Sequence, residues 1–157
     1  MSERKLIFSD PEKCTGCKIC ELVCSAVNEG EFNPLLSRIR TVRLETILNT
    51  SLACQLCDDP TCVRACPKKA LSQDEETGLI IVDEDWCTGC GLCIEACEFG
   101  VIMLSRDRKH VIICDLCEGE PKCIEFCPKE AISLVTIEEV GQRIRRKAVT
   151  KLLKEGD

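Results

Sequence analysis

The sequence has no tyrosine, one tryptophan and four phenylalanines, so aromatic residues make up only 3% of its 157 positions. Few large side chains are available for a conventional core, and some other material must fill that space. Histidine occurs once, as His110, which reads as a surface residue before a strand and leaves no histidine pair for a mixed-ligand zinc site. Apolar runs are short: the longest, such as VIICDL, are strand-sized and far below the roughly 20 residues that cross a bilayer. Direct membrane insertion is therefore not expected. The opening MSERKLIF has neither an apolar signal-peptide core nor paired arginines, which points to the cytoplasm. Neither common type of glycine-rich phosphate loop is present, so neither flavin nor nicotinamide is expected. No acid–base pair stands out among the many surface carboxylates, so no catalytic residues are assigned.

Cysteine, by contrast, is abundant. Sixteen cysteines, about a tenth of the chain, signal either a disulfide scaffold or metal binding. A reducing cytoplasm disfavours disulfides, so the thiols read as metal ligands. They fall in four runs: Cys14, Cys17, Cys20, Cys24; Cys54, Cys57, Cys62, Cys66; Cys87, Cys90, Cys93, Cys97; and Cys114, Cys117, Cys123, Cys127. In every run the last two cysteines stand at i and i+4, one turn apart on one face of a short helix. One thiol can then serve a centre on one side while the next serves its neighbour. Runs one and three share C-T-G-C-x-x-C, whereas runs two and four share C-x-L-C and C-P-K-x-A, with Pro67 and Pro128 stopping the helix. This alternation suggests duplication of a paired unit.

A two-cluster bacterial ferredoxin carries its iron–sulfur ligands in runs of this kind, three cysteines close together and a fourth that serves the other cluster. Zinc ribbons use isolated C-x2-C pairs. Four complete runs with no cysteine left over favour four 4Fe-4S clusters and no zinc. With about -2 for each oxidised cube and its thiolates, the formal charge of -6 becomes roughly -14 in the loaded protein, which argues against a nucleic-acid partner. The apo chain is expected to fold poorly.

Around the runs, RKLIFS reads as a strand and KICELVCSAV as a short helix. Asn33-Pro34 marks a turn, and RIRTVRLE alternates as a strand of a surface hairpin whose Arg38, Arg40 and Arg43 form a candidate partner-contact patch. ALSQDEETGLIIVDED gives a strand, turn and strand, and VIMLSRD, HVIICD and ISLVTI are further strands. From Ile137 to about 155 the pattern is helical, with Ile137, Val140, Ile144, Ala148 and Leu152 near one face expected to pack on the chain's own domain. The fold class expected is α+β: a tandem bacterial-ferredoxin-like fold of two pseudo-symmetric two-cluster units over 1–135, followed by a C-terminal amphipathic helix over 136–157. The inner unit is 54–97, and 1–53 with 98–135 form the outer unit. Spacing alone leaves a side-by-side pairing of the runs open.

Over about residues 4–135 the four runs resemble the four-cluster iron–sulfur subunits of the dimethyl-sulfoxide-reductase type. The compact form and the NPLLSRIR segment are similar to the short subunits that accompany tungsten-dependent aldehyde oxidoreductases. The resemblance implies a nested pairing of runs. One cluster then takes Cys54, Cys57, Cys62 and Cys97, and its neighbour Cys87, Cys90, Cys93 and Cys66. The outer pair takes Cys14, Cys17, Cys20 with Cys127, and Cys114, Cys117, Cys123 with Cys24. It also implies a non-catalytic electron-transfer subunit. Single electrons would pass between a large oxidoreductase subunit holding pterin-bound tungsten or molybdenum and a further donor or acceptor protein, with the inner unit bridging the terminal clusters. The alternative is a free-standing soluble polyferredoxin.

Overall fold

The computed structural model describes residues 4–45 and 48–154. The far ends of the cysteine-bearing region meet: β1 (Lys5–Ser9) pairs antiparallel with β8 (Ile132–Thr136), Lys5 opposite Thr136 and Ser9 opposite Ile132. Leu6, Ile7, Ile132 and Val135 from this ribbon enter the core. Between them the chain forms three local hairpins: β2 (Arg40–Leu44) with β3 (Leu48–Leu52), β4 (Leu71–Gln73) with β5 (Ile80–Val82), and β6 (Met103–Leu104) with β7 (Val111–Ile112). VIMLSRD and HVIICD thus contribute only two residues each to pairing, because Ser105 already turns the chain, its N–H donating to the His110 carbonyl.

The third cysteine of each run sits on a helix. These are α1 (Ile19–Glu29), α2 (Thr61–Arg64), α3 (Leu92–Ala96) and α4 (Lys122–Glu125). α1 packs against α4, and α2 against α3. The ribbons and helices enclose one apolar cluster built from Ile39, Leu56, Val101, Val111, Ile113 and cysteines of all four runs.

α5 (Ile137–Lys154) follows β8 directly. Its apolar face meets its own domain only in part. Val140, partly buried, packs against the core, whereas Ile144 is 58% exposed and Leu152 71%. The helix is also held by polar contacts from Arg143 and Lys147 near its middle. The Arg143 guanidinium donates to Ser133 Oγ at 2.8 Å and lies 6.0 Å from the Phe8 ring centroid, and Lys147 Nζ reaches Asp10 Oδ1 at 2.7 Å and Glu12 Oε2 at 3.1 Å. Asp10 is desolvated, which raises its pKa, yet the hydrogen bond from Lys147 and its neighbours leave the carboxyl below the usual value. No described helix is long and apolar enough to cross a membrane.

The arginines of the first hairpin find partners within the chain. Arg38 pairs with Asp115 at 3.0 Å and with Glu29 at 3.5 Å, Arg40 donates to the carbonyls of Pro34 and Leu35, and Arg43 donates to the Gly16 carbonyl. These guanidiniums tie the hairpin to the chain's own loops, although Arg43 stays exposed. His110 is partly covered, with Nε2 3.7 Å from Glu84 Oε1.

Candidate metal centre

Each run begins as a tight loop in which the residue before the second cysteine has a left-handed backbone: Gly16, Leu56, Gly89 and Leu116. Glycine takes this conformation freely. A Cβ at Gly89 would also collide with the Arg108 carbonyl. A leucine pays about 1–2 kcal/mol for it. Leu56 and Leu116 are both buried, and burying a leucine returns about 1.5–3 kcal/mol, so the C-x-L-C runs convert a strained loop into a core anchor.

The loops and helices enclose four cavities, each lined by four cysteines. One of about 210 Å³ has Cys54, Cys57, Cys62 and Cys97 on its wall, with Ile80, Val101 and Ile113. A second is lined by Cys66, Cys87, Cys90 and Cys93, a third by Cys24, Cys114, Cys117 and Cys123, and a fourth by Cys14, Cys17, Cys20 and Cys127. Thr61 Oγ1 holds the first together by donating to the Ala96 carbonyl at 2.8 Å, which links α2 to α3.

Thiols of different cavities influence one another electrostatically. The Cys93 thiol is perturbed by Cys62, Cys114 by Cys54, and Cys123 by Cys20. These influences link the run-three cavity to that of run two, run two to run four, and run four to run one. Cys90 and Cys17, the two exposed cysteines, line the run-three and run-one cavities.

Burial dominates the chemistry of the metal-free thiols. It pushes Cys54 and Cys93 up to about 11 and Cys114 up to about 12, with neighbouring thiols adding to the shift, and it raises Cys123 as well. Such thiols are neutral at pH 7 and must release protons to bind metal. The structure also supplies donors for the resulting thiolates. The Arg38, Ala70 and Ala131 amides donate to the sulfurs of Cys24, Cys66 and Cys127 at 3.2, 3.3 and 3.4 Å. Cys20 Sγ lies 3.5 Å from both Thr41 Oγ1 and Ser51 Oγ.

The donor set fits a polynuclear group. Among the described residues no three Cys, His, Asp or Glu side chains converge closely enough to hold one ion; the thiols stand apart around voids. Arg38 lines the run-four cavity, and its buried Nε has no partner among the described residues. An anionic group there would meet a cation. Thr41, Ser51, the Arg38 amide and Asn28, whose Nδ2 donates to Cys24 Sγ at 3.7 Å, are site residues that sequence reasoning missed; only the alternation of RIRTVRLE hinted that part of this hairpin faces inward.

A model of a 4Fe-4S dicluster domain matches residues 46–137 and one of a 4Fe-4S binding domain residues 11–27. The aliphatic sulfonate oxidoreductase, polyferredoxin-like subunit of Pyrococcus furiosus is 43% identical over 139 residues, covering 87% of this chain and 80% of that protein. The B subunit of the anaerobic dimethyl sulfoxide reductase of Escherichia coli is 31% identical over 160 residues, covering 87% and 75%. A component of the active site complex BamBC of benzoyl coenzyme A reductase as isolated has the same fold, with 23% identity, 96% coverage of both proteins and a TM-score of 0.50. With the dicluster model spanning more than half of its residues, and relatives matched over most of their length, the chain belongs to the 4Fe-4S dicluster ferredoxin family, among iron–sulfur subunits of the dimethyl-sulfoxide-reductase type.

Proposed function

We propose that the chain holds four 4Fe-4S clusters, one in each cysteine-lined cavity, and relays single electrons between the catalytic subunit of an oxidoreductase and a further redox protein. The observation that carries this reading is that every cavity takes three cysteines from one run and the fourth from another, in the nested pairs two with three and one with four. A bound 4Fe-4S cluster supplies one-electron chemistry over a range of roughly -700 to +450 mV, set by burial and hydrogen bonds to sulfur. The protein's part is to hold the thiolates, exclude water with Ile80, Val101 and Ile113, and point amide N–H groups at the sulfurs.

The packing of α1 on α4 and of α2 on α3 supports a tandem of pseudo-symmetric units, 54–97 inner and 1–53 with 98–135 outer. Electrons then enter and leave beside Cys17 and Cys90. The chain is non-catalytic, uses neither flavin, nicotinamide nor zinc, and works in the cytoplasm. The resemblance to subunits of the dimethyl-sulfoxide-reductase type supports a catalytic partner with pterin-bound tungsten or molybdenum. The exposed Ile144, Leu152 and Leu153 of α5 support a docked subunit over a free carrier, since such apolar surface is costly in solution. Anaerobic native purification should recover the chain with a larger pterin-containing oxidoreductase subunit. Recovery of a cluster-loaded monomer that reduces several unrelated enzymes would make it a free polyferredoxin.

A further inference from the structure

Resting on that reading, we infer that the β2–β3 hairpin raises the reduction potential of the cluster in the run-one cavity through the hydroxyls of Thr41 and Ser51. The two residues face each other across the hairpin and belong to the wall of the cavity lined by Cys14, Cys17, Cys20 and Cys127. Their oxygens are 3.3 Å apart, and each is 3.5 Å from Cys20 Sγ.

Their position is fixed from several sides. The Thr41 amide donates to Glu21 Oε1 at 2.6 Å, and Glu21 is only 2% exposed on α1. The Ser51 amide donates to Ser9 Oγ on β1 at 3.1 Å, and Arg43 clamps the hairpin to the Gly16 carbonyl inside the first cysteine loop. Three separate elements thus hold two hydroxyls against one ligand sulfur.

The direction of the hydrogen bonds follows from ligation. A metal-bound cysteine is a thiolate with no hydrogen of its own, so a hydroxyl hydrogen-bonded to it donates, either Thr41 and Ser51 both to the sulfur or one of them through the other. The acceptor sulfur is more negative when the cluster is reduced, so the O–H groups stabilise the reduced form more than the oxidised one. Cys20 and Ser51 are buried, which limits screening of this effect by water.

The test is an anaerobic redox titration of the loaded protein, followed by electron paramagnetic resonance, for the wild type and for Thr41→Val/Ser51→Ala. One midpoint should move down, changing that cluster's oxidised-to-reduced ratio at fixed potential about tenfold, equivalent to 59 mV for one electron. The other three should stay in place with iron content unchanged. Thr41→Ser, which keeps the hydroxyl, should restore the wild-type midpoint in the presence of Ser51. If the double variant loses iron, Ser51→Ala alone should show a smaller shift of the same sign. Four unmoved midpoints in an iron-replete variant, or a common shift of all four, would overturn the inference while leaving the relay intact. A wild-type chain that binds no clusters would overturn both.

Discussion

Replacing Cys97 by alanine should cost the protein one cluster, and the cluster lost should be that of the second run. Cys97 lines the cavity of about 210 Å³ with Cys54, Cys57 and Cys62, whereas the other cysteines of its own run line a different cavity with Cys66. The electrostatic neighbourhood agrees: Cys54, Cys57 and Cys62 all feel Cys97. With three ligands the cube is open to water beside Cys57, already half-buried, and the exposed Glu98 and Phe99. Iron should fall from about 16 to about 12 per chain, and the signal that disappears should match the one lost on Cys57→Ala. The comparison is made by iron and sulfide analysis with electron paramagnetic resonance of both variants. Loss of the signal that Cys90→Ala or Cys117→Ala removes would reject the nested assignment.

Removal of iron should unfold the chain rather than leave an apo fold. β6 and β7 have two residues each, β4 and β5 three, and α2 and α4 four. Isolated elements of that length are unstable in water. Cysteines take the places that large side chains hold elsewhere: Cys20, Cys24, Cys54, Cys62, Cys93, Cys114 and Cys123 are all buried. A void of about 210 Å³ costs about 5 kcal/mol at about 24 cal/mol per Å³. That is an upper figure, since Glu98 and Phe99 on its wall are exposed. It is still comparable to the whole stability of a small domain, about 5–15 kcal/mol. Anaerobic chelation should therefore abolish the cooperative thermal transition and collapse amide dispersion in nuclear magnetic resonance spectra. Retention of native dispersion in iron-free protein would show that the polypeptide carries its own core.

The cysteine runs are the most legible part of this chain because their spacing is that which a small rigid cube would demand. A C-x2-C loop and an i, i+4 pair would put thiols where a cube needs them, so sixteen candidate positions can be read without a fold. Which run closes with which is a matter of tertiary distance, and spacing is silent on it. The links between cavities were beyond reach for the same reason, since they depend on Cys54 lying near Cys114 and Cys20 near Cys123. Thr41 and Ser51 were invisible because a one-residue slip in strand register would turn both away from Cys20. The partners of Arg38, Arg40 and Arg43 were not legible because charge alone does not show whether a guanidinium faces solvent or a carbonyl of its own chain. The α5 pattern marked a helix correctly, yet periodicity says only that an apolar face exists. Here the helix meets its own domain through Val140, Arg143 and Lys147 while Ile144 and Leu152 stay exposed.

The central claim, four iron–sulfur clusters on sixteen cysteines, is tested most directly by counting. Protein kept anaerobic throughout should contain about 16 iron and about 16 acid-labile sulfide per chain. About eight of each, or stoichiometric zinc in place of iron, would contradict it.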